Sequence, residues 1–473
     1  MKKYIAVAVL LLLISVNVIP STSTIVEKKS IILTFNEGSL SGFVNDTSMN
    51  SIEGARVRVC FHGTYEEDYS DSSGYYHVTN IPICNCTKNC TAFKQGYKPE
   101  CVWLSIYENT IYDFVLTPGK TLYVGGSGEG NYTRIQEGLD NASNGDTVFV
   151  FSGWYDVDKW IYINKSIRLI GEDKENTVIY SSGIDVVVSE VKVSGFTILN
   201  GSGITINSYS SEVANNNTIF DNIFISNESL YGVGGITILN SSYNTVSNNS
   251  FFSCGLLMEM FDISDVANSC HNLIYNNKVN NKPLVYFEDT SDKIIDDAGQ
   301  VILIGCNNVT VESLELSNTI IGVQILDSIN CSVLGNVFSN NYLGGIALEN
   351  SNNNTILSNI ILNGGLGAML CISGYNLISG NSFENNEINL LFFNSSCNHI
   401  SYNNIRFGFS YALRRLKSIL SMDSDNKWIG NFWNRPRLLP VLIWGFKTNS
   451  FTWFTKWYSF DVDWRPALKP YDI

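Results

Sequence analysis

The sequence predicts an all-β protein in which a parallel β-helix follows a small β-sandwich. Three observations lead to this fold class: an asparagine-based repeat, a shortage of charged residues, and short alternating strands before the repeat. Charged residues make up 16% of the 473 positions, against about 25% in a typical soluble protein. Hydrophobic residues make up 44%, so the chain has enough apolar mass for a large core. Stacked β-coils fit this composition better than a helical enzyme with a charged surface.

The repeat consists of an asparagine, any residue, an isoleucine or valine, two further residues and a second asparagine. Later copies recur every 22 or 23 residues, and this period, with β-branched residues and no helical stretch, indicates a parallel β-helix. Copies with Asn307 and Cys331 in the first position have Glu312 and Asn336 in the second. The other first positions are Asn217, Asn244, Asn272, Asn354, Asn376 and Asn398.

These asparagines are predicted to be structural. Successive coils lie about 4.8 Å apart, and an asparagine amide at a tight corner can donate and accept a hydrogen bond at once. Equivalent asparagines should therefore bond in a column along the helix axis. Inward residues such as Ile346, Ile356 and Ile360 should form the core.

The β-helix is predicted to span residues 119–410 and to need a cap at its start, because an open coil exposes strand edges. Residues 133–136 read as a helix capping box, Thr133 to Gln136, with an apolar helical face after it. Residues 145–150 then read as the first strand.

Residues 411–473 are predicted to form the C-terminal cap. Six of the nine tryptophans lie between positions 428 and 464, and residues 411–420 suit a short amphipathic helix. A dense aromatic cluster closes a core or, alternatively, forms a platform on which sugars stack.

Residues 1–24 are predicted to be a secretory signal peptide. Lys2 and Lys3 precede an apolar run over residues 5–16, which is shorter than the ~20 residues of a membrane span. An uncleaved anchor is the alternative, because no clean cleavage site follows. No later run has spanning length, so the mature chain is expected without a transmembrane span, secreted or at the cell surface. The net charge of −14 disfavours nucleic acid as a partner.

Residues 36–118 are predicted to form the β-sandwich, since short alternating strands are separated by turn residues. Particular motifs here are Gly42-x-Val44-x-Asp46, Gly54-Ala55-x-Val57-x-Val59, Asp71-x-x-Gly74-x-Tyr76, Asn80-Ile81-Pro82 and Gly96-Tyr97. In this order they resemble the carboxypeptidase regulatory-like domain. The resemblance implies an immunoglobulin-like accessory module without catalytic residues, used for adhesion, for substrate presentation or as a spacer.

Further resemblances cover most of the chain. The motifs Gly145-Asp146-Thr147-Val148 and Leu169-Ile170-Gly171-Glu172 resemble the opening of pectin-lyase-like right-handed β-helices. Lys282-Pro283-Leu284 and Asp297-Ala298-Gly299 resemble the NosD-type β-helix, a group that includes periplasmic copper-binding proteins and carbohydrate-binding or sugar-hydrolysis modules. The ending Asp461-Val-Asp-Trp464-Arg-Pro466 resembles the tail of archaeal surface proteins with this repeat.

No catalytic site is predicted. The acid–base motifs of polygalacturonases, pectin methylesterases and alginate epimerases are missing from the sequence, and His271 and His399 are expected to pack beside the asparagine columns. An enzyme acting on acidic polysaccharide stays the alternative, because β-helix active sites can be built from unfamiliar residues.

Two groups of residues are candidate metal ligands, and neither supports a committed cofactor. The first group is a cluster of carboxylates that predicts either a Ca²⁺ site or a charged loop exposed to solvent. Its members are Glu288, Asp289, Asp292, Asp296 and Asp297. Soft ligands suit Cu(I); these are Cys254, Met258 and Met260, with His271. Core packing by the methionines, with a Cys254–Cys270 disulfide closing an insertion, is the alternative to copper.

The chain has eleven cysteines. The dense motif Cys84-x-Cys86-x3-Cys90 reads as a disulfide or buried thiols, or as a metal site.

Asparagine glycosylation sequons are expected to be used at coil corners and loops if the host glycosylates exported proteins. A site within a strand, such as Asn308, is expected to stay unmodified. The accessible set is Asn45, Asn131, Asn141, Asn216, Asn227, Asn330 and Asn353.

The sequence therefore predicts a secreted or cell-surface β-helix protein that binds or displays toward glycans or neighbouring cells without catalysis. A carbohydrate-active enzyme on acidic polysaccharide and a copper-site accessory protein are the alternatives.

Overall fold

The computed structural model describes most of the chain from residue 37 onward. Residues 1–36 lie outside it, as do Met260, Asn227 and residues 411–418, so the predictions for the signal peptide and for these positions fall outside the described residues. No helix in the described part is long and apolar enough to cross a membrane. The described ranges are 37–61, 64–126, 131–157, 159–208, 214–226, 234–258, 270–406, 419–421, 426–434, 436, 438–448 and 456–473.

The N-terminal domain, residues 37–118, consists of two sheets that pack around one core. Val44 and Phe114 from one sheet and Val57 and Ala92 from the other are fully buried in the same cluster. One sheet has the order β4-β1-β9-β6, with β8 beside β1, and the other has the order β3-β2-β5-β7. The strands are β1 (Glu37–Asp46), β2 (Arg56–Phe61), β3 (Thr64–Tyr69), β4 (Tyr75–Pro82), β5 (Thr87–Phe93), β6 (Tyr97–Lys98), β7 (Glu100–Ser105), β8 (Thr110–Ile111) and β9 (Phe114–Pro118).

Most of the described residues from 121 to 434 form a parallel β-helix of about 11 turns. Short strands of successive coils pair in parallel, so that equivalent positions stack along the axis. The first sheet contains β10 (Thr121–Val124), β11 (Thr147–Val150), β14 (Arg168–Gly171), β17 (Lys192–Ser194), β20 (Thr218–Phe220), β23 (Thr245–Ser247) and β26 (Leu273–Tyr275).

Two further sheets complete the early coils. One contains β13 (Ile161–Ile163), β16 (Ile184–Val186), β19 (Ile204–Asn207), β22 (Gly235–Leu239) and β25 (Gly255–Met258). The other begins with β12 (Gly153–Val157), β15 (Thr177–Ser181), β18 (Thr197–Leu199), β21 (Ile223–Ile225), β24 (Ser250–Phe252) and β27 (Lys278–Val279).

The later coils continue this last sheet and add one more. The continuation is β28 (Lys282–Glu288), β29 (Ile294–Ile295), β30 (Gln300–Ile304), β31 (Thr310–Glu312), β33 (Ile321–Leu326), β34 (Ser332–Leu334), β36 (Gly344–Glu349), β37 (Thr355–Leu357), β39 (Leu366–Cys371), β40 (Leu377–Ser379), β42 (Ile388–Phe393), β43 (His399–Ser401), β45 (Ile419–Ser421), β46 (Lys427–Ile429), β48 (Val441–Thr448) and β49 (Lys456–Asp463). The added sheet is β32 (Glu315–Ser317), β35 (Val337–Ser339), β38 (Ile360–Leu362), β41 (Ser382–Glu384), β44 (Asn404–Arg406) and β47 (Phe432–Trp433).

The start of the β-helix differs from the prediction. Strand β10 pairs in parallel with β11, so the sheet begins one strand before residues 145–150. Helix α1 (Ile135–Asn141) covers this end, but its N-cap is Arg134 and no side chain caps it, so Thr133 does not form the predicted capping box. Gln136 instead exchanges hydrogen bonds with the backbone of Tyr162, at 2.9 and 3.2 Å. Its amide therefore satisfies the edge of β13 rather than the start of the helix.

The asparagines of the repeat form hydrogen-bonded columns between coils. The backbone N–H of Asn354 donates to the side-chain oxygen of Asn376 at 2.8 Å, and Asn376 donates in the same way to Asn398 at 2.9 Å. In the early coils Asn217 donates to Asn244 at 3.0 Å, and Asn244 to Asn272 at 2.9 Å. All of these asparagines are buried.

The residue before each column position has a left-handed backbone. Asn216, Tyr243, His271, Asn330 and Asn353 have φ between 57° and 59°. Asparagine tolerates this conformation better than most residues. A pair of adjacent asparagines therefore serves two purposes, one at the corner and one in the column.

Four predicted register positions are wrong, namely Asn307, Asn308, Glu312 and Ile360. Asn308 has φ 57° and is exposed, and Val309 stands in the column where Asn307 was expected. Leu314 replaces Glu312 in the second column, because its N–H donates to the side chain of Asn336 at 2.9 Å. In the core, Ile361 is buried and Ile360 faces the other way.

The parallel strands extend beyond residue 410, where the β-helix was predicted to end. Strands β46 and β47 pair in register with β43 and β44 of the preceding coil. Trp428 and Trp433 are buried in the core. The chain then forms the antiparallel hairpin of β48 and β49, whose last residue is Asp463.

Asp463 ends the second asparagine column. Its buried carboxylate accepts hydrogen bonds from the backbone N–H groups of Gly430 and Asn431, at 3.2 and 3.0 Å. It also accepts from the side chains of Asn431 and Trp433, at 3.2 and 3.0 Å. One carboxylate thus satisfies four donors that the last coil would otherwise leave open.

Candidate functional site

The N-terminal domain docks on the first coils through an aromatic cluster. Phe93 from β5 packs with Phe149, Phe151 and Tyr123 of the β-helix. The guanidinium of Arg56 lies over the Phe93 ring at 4.2 Å and over Phe151 at 5.1 Å. Apolar and cation–π contacts of this kind hold two domains in one arrangement.

A buried ion pair fixes the same junction. Arg58 of the N-terminal domain contacts the carboxylate of Glu172, whose side chain is fully buried. Glu172 also accepts from the backbone N–H of Ser152 at 2.9 Å, and Arg58 donates to Glu67 at 2.9 Å. Burial opposes the charge on Arg58, yet Glu172 and Glu67 outweigh it, and the pKa of Arg58 lies above its usual value. These contacts anchor the N-terminal domain to the first coils.

Two hollows flank this junction. The larger, of about 780 Å³, is lined by Arg58, Glu67, Tyr65 and Tyr69 among others. Arg58 lies 3.8 Å from the centre of the Tyr65 ring. Both arginines of this hollow are engaged by Glu67 and Glu172, and two lysines, Lys94 and Lys120, also line it.

The second hollow, of about 610 Å³, is named here the basic groove. It is lined by three cations, Lys98, Arg168 and Lys192, and by Glu190. Arg168 and Lys192 are in register on the adjacent strands β14 and β17. Within the described part of the chain, none of the three cations is in an ion pair. In a chain of net charge −14, this is a local concentration of unneutralised positive charge.

The structure separates the carboxylates predicted to bind calcium. Asp289, Asp292, Asp296 and Asp297 are exposed, while Glu288 is half-buried. Asp292 accepts a hydrogen bond from the side chain of Asn308 at 2.7 Å. Among the described residues, these five do not bring three ligand atoms within 4.8 Å of one another.

The predicted copper ligands do not share one space either. Cys254 and Met258 are buried in the core, and Cys254 is a free thiol rather than half of a disulfide. His271 is at a coil corner with its side chain 55% exposed, so it is not the packed residue expected from the sequence. Met260 lies outside the described residues. The described members of this set therefore do not fit a copper ion.

His271 instead lies beside Cys270 and Glu288. The ligand atoms of these three side chains all lie within 4.8 Å of one another. The sequence analysis placed His271 among the copper ligands and Glu288 among the calcium ligands, so it found each residue but not their combination.

Cys84 and Cys86 are disulfide-bonded, and His399 is half-buried, with a pKa lowered by burial and by Lys427.

One carboxylate has the environment of a general acid. Asp185 in β16 is half-buried, one of its oxygens has no hydrogen-bond partner, and burial raises its pKa. It is in register with the exposed Tyr162 on the neighbouring strand. A raised pKa suits proton donation, although a glycoside hydrolase also needs a second carboxylate.

The later coils have a known relative by sequence. A family model described as periplasmic copper-binding protein (NosD) matches residues 291–437, which is less than half of the chain. No curated protein matches this chain.

Solved structures show distant similarity. The Bacillus anthracis TIE protein is 14% identical, with 20% of each chain covered and a TM-score of 0.15. The PL6 family alginate lyase AlyGC is 14% identical over 66% of this chain and 51% of its own, with a TM-score of 0.26. A GH87 α-1,3-glucanase catalytic domain in complex with tetrasaccharides is 12% identical over 83% and 89%, with a TM-score of 0.29.

The chain thus spans about a fifth and about half of the first two of these structures. Likeness at these scores says nothing about the activity of this chain. By its own strand pairing the protein is a parallel β-helix, and its later coils are similar to the NosD family.

Proposed function

We propose that the protein binds an anionic glycan in the basic groove and does not cleave it. One observation carries this proposal: Arg168 and Lys192 are in register on adjacent strands and face a groove that Lys98 also lines. Cations without ion-pair partners attract carboxylated or sulfated chains, and their field is concentrated in a groove.

The spacing of the groove suits a polymer. Adjacent strands lie about 4.8 Å apart, which is close to the advance of one pyranose residue in an extended polysaccharide. A glycan that runs along the helix axis would therefore present successive acidic groups to Arg168 and Lys192. Arginine also forms paired hydrogen bonds with a carboxylate.

Neutral polar side chains of the groove can form hydrogen bonds with sugar hydroxyls. Asn144, Ser166 and Asn216 line it together with the cations. Amide and hydroxyl side chains both donate and accept hydrogen bonds. The combination of charge and neutral polar groups favours a uronic-acid glycan over inorganic anions.

Binding is best measured by calorimetry on the mature chain with an oligogalacturonate. The Arg168→Ala/Lys192→Ala variant should bind at least about tenfold more weakly, because two charge-assisted contacts are lost. The wild-type affinity should also fall as ionic strength rises. The matched control is Lys427→Ala, which removes an exposed cation from a distant coil. Equal affinities for the wild type and the double variant would overturn the proposal.

Absence of turnover is part of the proposal. Asp185 is the best candidate acid because burial raises its pKa, but the acid–base motifs of polygalacturonases, pectin methylesterases and alginate epimerases are missing from the sequence. We therefore expect no release of uronate from pectate, alginate or polygalacturonate. Release that is lost in Asp185→Asn would establish the alternative, an enzyme on acidic polysaccharide.

Copper accessory function is the remaining alternative. Because Met258 is buried in the core, Cu(I) should bind the Met258→Leu/Met260→Leu variant as tightly as the wild type. A clear loss of affinity in the variant would favour the copper function.

The finer sequence predictions complete the proposal. The protein would be exported by a signal peptide over residues 1–24 and act outside the cell or at its surface, as the resemblance to archaeal surface proteins implies. The N-terminal domain would be an immunoglobulin-like accessory module that presents Lys98 to the groove. The docking of this domain through Arg58 and Glu172 supports that positioning function.

A further inference from the structure

We infer that Cys270, His271 and Glu288 form a zinc-binding site. Their ligand atoms, the Cys270 sulfur, a His271 ring nitrogen and a Glu288 carboxylate oxygen, all lie within 4.8 Å of one another. The site is independent of the basic groove, and it lies outside residues 291–437, where the NosD similarity is found.

The distances are close to those of a coordinated ion. Nδ1 of His271 lies 3.1 Å from Oε1 of Glu288. In a tetrahedral zinc site, with bond lengths of about 2.0–2.3 Å, ligand atoms are roughly 3.3–3.8 Å apart. Side-chain adjustments of about an ångström would therefore bring all three atoms onto one ion.

The fold holds the three residues in place. His271 occupies a left-handed corner, φ 59°, immediately before the column residue Asn272. This corner turns its side chain outward, where the ring stacks on Tyr243 at 5.5 Å. Glu288 is the last residue of β28. The site therefore brings together residues just before β26, at Cys270 and His271, and the C-terminal end of β28.

Groups around the ligands support coordination. The backbone N–H of His271 donates to Oε1 of Glu288 at 2.6 Å, and the hydroxyl of Tyr286 donates to Oε2 at 2.7 Å. Hydrogen bonds of this kind orient the carboxylate of a metal site.

The ligand set selects zinc by its chemistry. Thiolate, imidazole and carboxylate together match Zn²⁺, which takes sulfur, nitrogen and oxygen ligands in tetrahedral sites. Calcium wants six to eight oxygens and does not fit a thiolate. Cu(I) favours soft ligands and gains little from the carboxylate.

The test uses the full mature chain with Co²⁺ as a spectroscopic substitute for Zn²⁺, and Zn²⁺ itself in calorimetry. We expect one Zn²⁺ per chain and a thiolate-to-cobalt charge-transfer band. The band should disappear in Cys270→Ser, and Zn²⁺ affinity should fall at least about tenfold in His271→Gln and in Glu288→Gln. Tyr286→Phe should weaken affinity by a similar factor without removing the band.

Matched controls separate this site from other thiols and imidazoles. Cys397 is an exposed free cysteine and His399 lies in a later coil, so Cys397→Ser and His399→Gln should leave the band and the affinity unchanged. Loss of the band in Cys397→Ser, its persistence in Cys270→Ser, or the absence of Zn²⁺ binding to the wild type would overturn the inference.

Discussion

The early coils, residues 147–279, and the later coils, residues 310–434, share the same hydrogen-bonded columns, but most of the later coils have a shorter repeat, and only the step from Asn398 to Asn426 is as long as the early ones. Asn217 and Asn244 bond to partners 27 and 28 residues ahead. Asn354 and Asn376 bond to partners 22 residues ahead. The early coils therefore have a longer repeat than these later coils.

Both candidate ligand sites lie in or next to the less regular coils. The basic groove is formed where β14 and β17 meet the N-terminal domain. Cys270 lies two residues before Asn272, in a coil whose column step is 28 residues. A strict repeat has nearly every side chain committed to a column or to the core, so ligand sites arise where the repeat is interrupted.

Between the early and the later coils, two glutamine side chains form hydrogen bonds with β25, the last strand of its sheet. The amide of Gln300 accepts from the N–H of Leu256 at 2.9 Å and donates to its carbonyl at 2.7 Å. Gln324 makes the same two contacts with Met258, both at 3.2 Å. Two side chains therefore satisfy the exposed edge of β25.

The largest stability effect is expected at the end of the regular region. Asp463→Ala removes the acceptor of four buried donors, and each unsatisfied donor costs about 1–3 kcal/mol. We expect a loss of about 4–6 kcal/mol in the free energy of unfolding, measured by urea denaturation. Asp472→Ala, at an exposed position, is the control. A loss no greater than that of the control would mean that Asp463 does not cap the column.

Breaking the domain junction should cost slightly less. Glu172→Gln leaves the buried guanidinium of Arg58 with one of its two charged partners, Glu67, and removing one member of a buried pair costs about 3–5 kcal/mol. Limited proteolysis should then cleave the N-terminal domain sooner than in the wild type. Unchanged cleavage would show that the aromatic cluster alone holds the domain.

A single column residue should matter less again. The amide of Asn359 donates to Val333 O, Leu357 O and Asn381 Oδ1. Asn359→Ala should cost about 2–3 kcal/mol in urea denaturation, since the orphaned groups are buried. Asn353→Gly, which keeps the left-handed corner, should change stability by well under 1 kcal/mol. Similar losses in both variants would contradict the division between column and corner.

The smallest effect concerns glycosylation. Asn308 is an exposed corner residue like Asn330 and Asn353. In a host that glycosylates exported proteins, peptide mapping should find Asn308 modified about as often as Asn330. An unmodified Asn308 beside a modified Asn330 would favour the register that the sequence first suggested.

The periodic asparagines made the parallel β-helix predictable, because a column repeats the same residue at a fixed step. The same residue misled the register at Asn307, since asparagine suits the corner as well as the column. In that coil Asn308 keeps the corner while Val309 replaces the column residue. Local sequence cannot separate these two uses of one amide side chain.

The candidate sites were harder to predict because they depend on contacts distant in sequence. Arg58 meets Glu172 across 114 residues, and neither residue stands in a distinctive motif. Arg168 and Lys192 are neighbours only through strand register. The zinc ligands are closer in sequence, since His271 precedes Glu288 by 17 residues. The sequence analysis nevertheless placed His271 with the candidate copper ligands and Glu288 with the candidate calcium ligands, so the combination was not recognised.

Hydrogen exchange on the full chain, with and without an oligogalacturonate, tests the central claim most directly. If the early coils bind the glycan and the later coils are architecture, protection should increase in residues 144–147, 166–168 and 190–192. Residues 310–434 should exchange at unchanged rates. Protection confined to the later coils, or spread evenly along the helix, would contradict this division of the molecule.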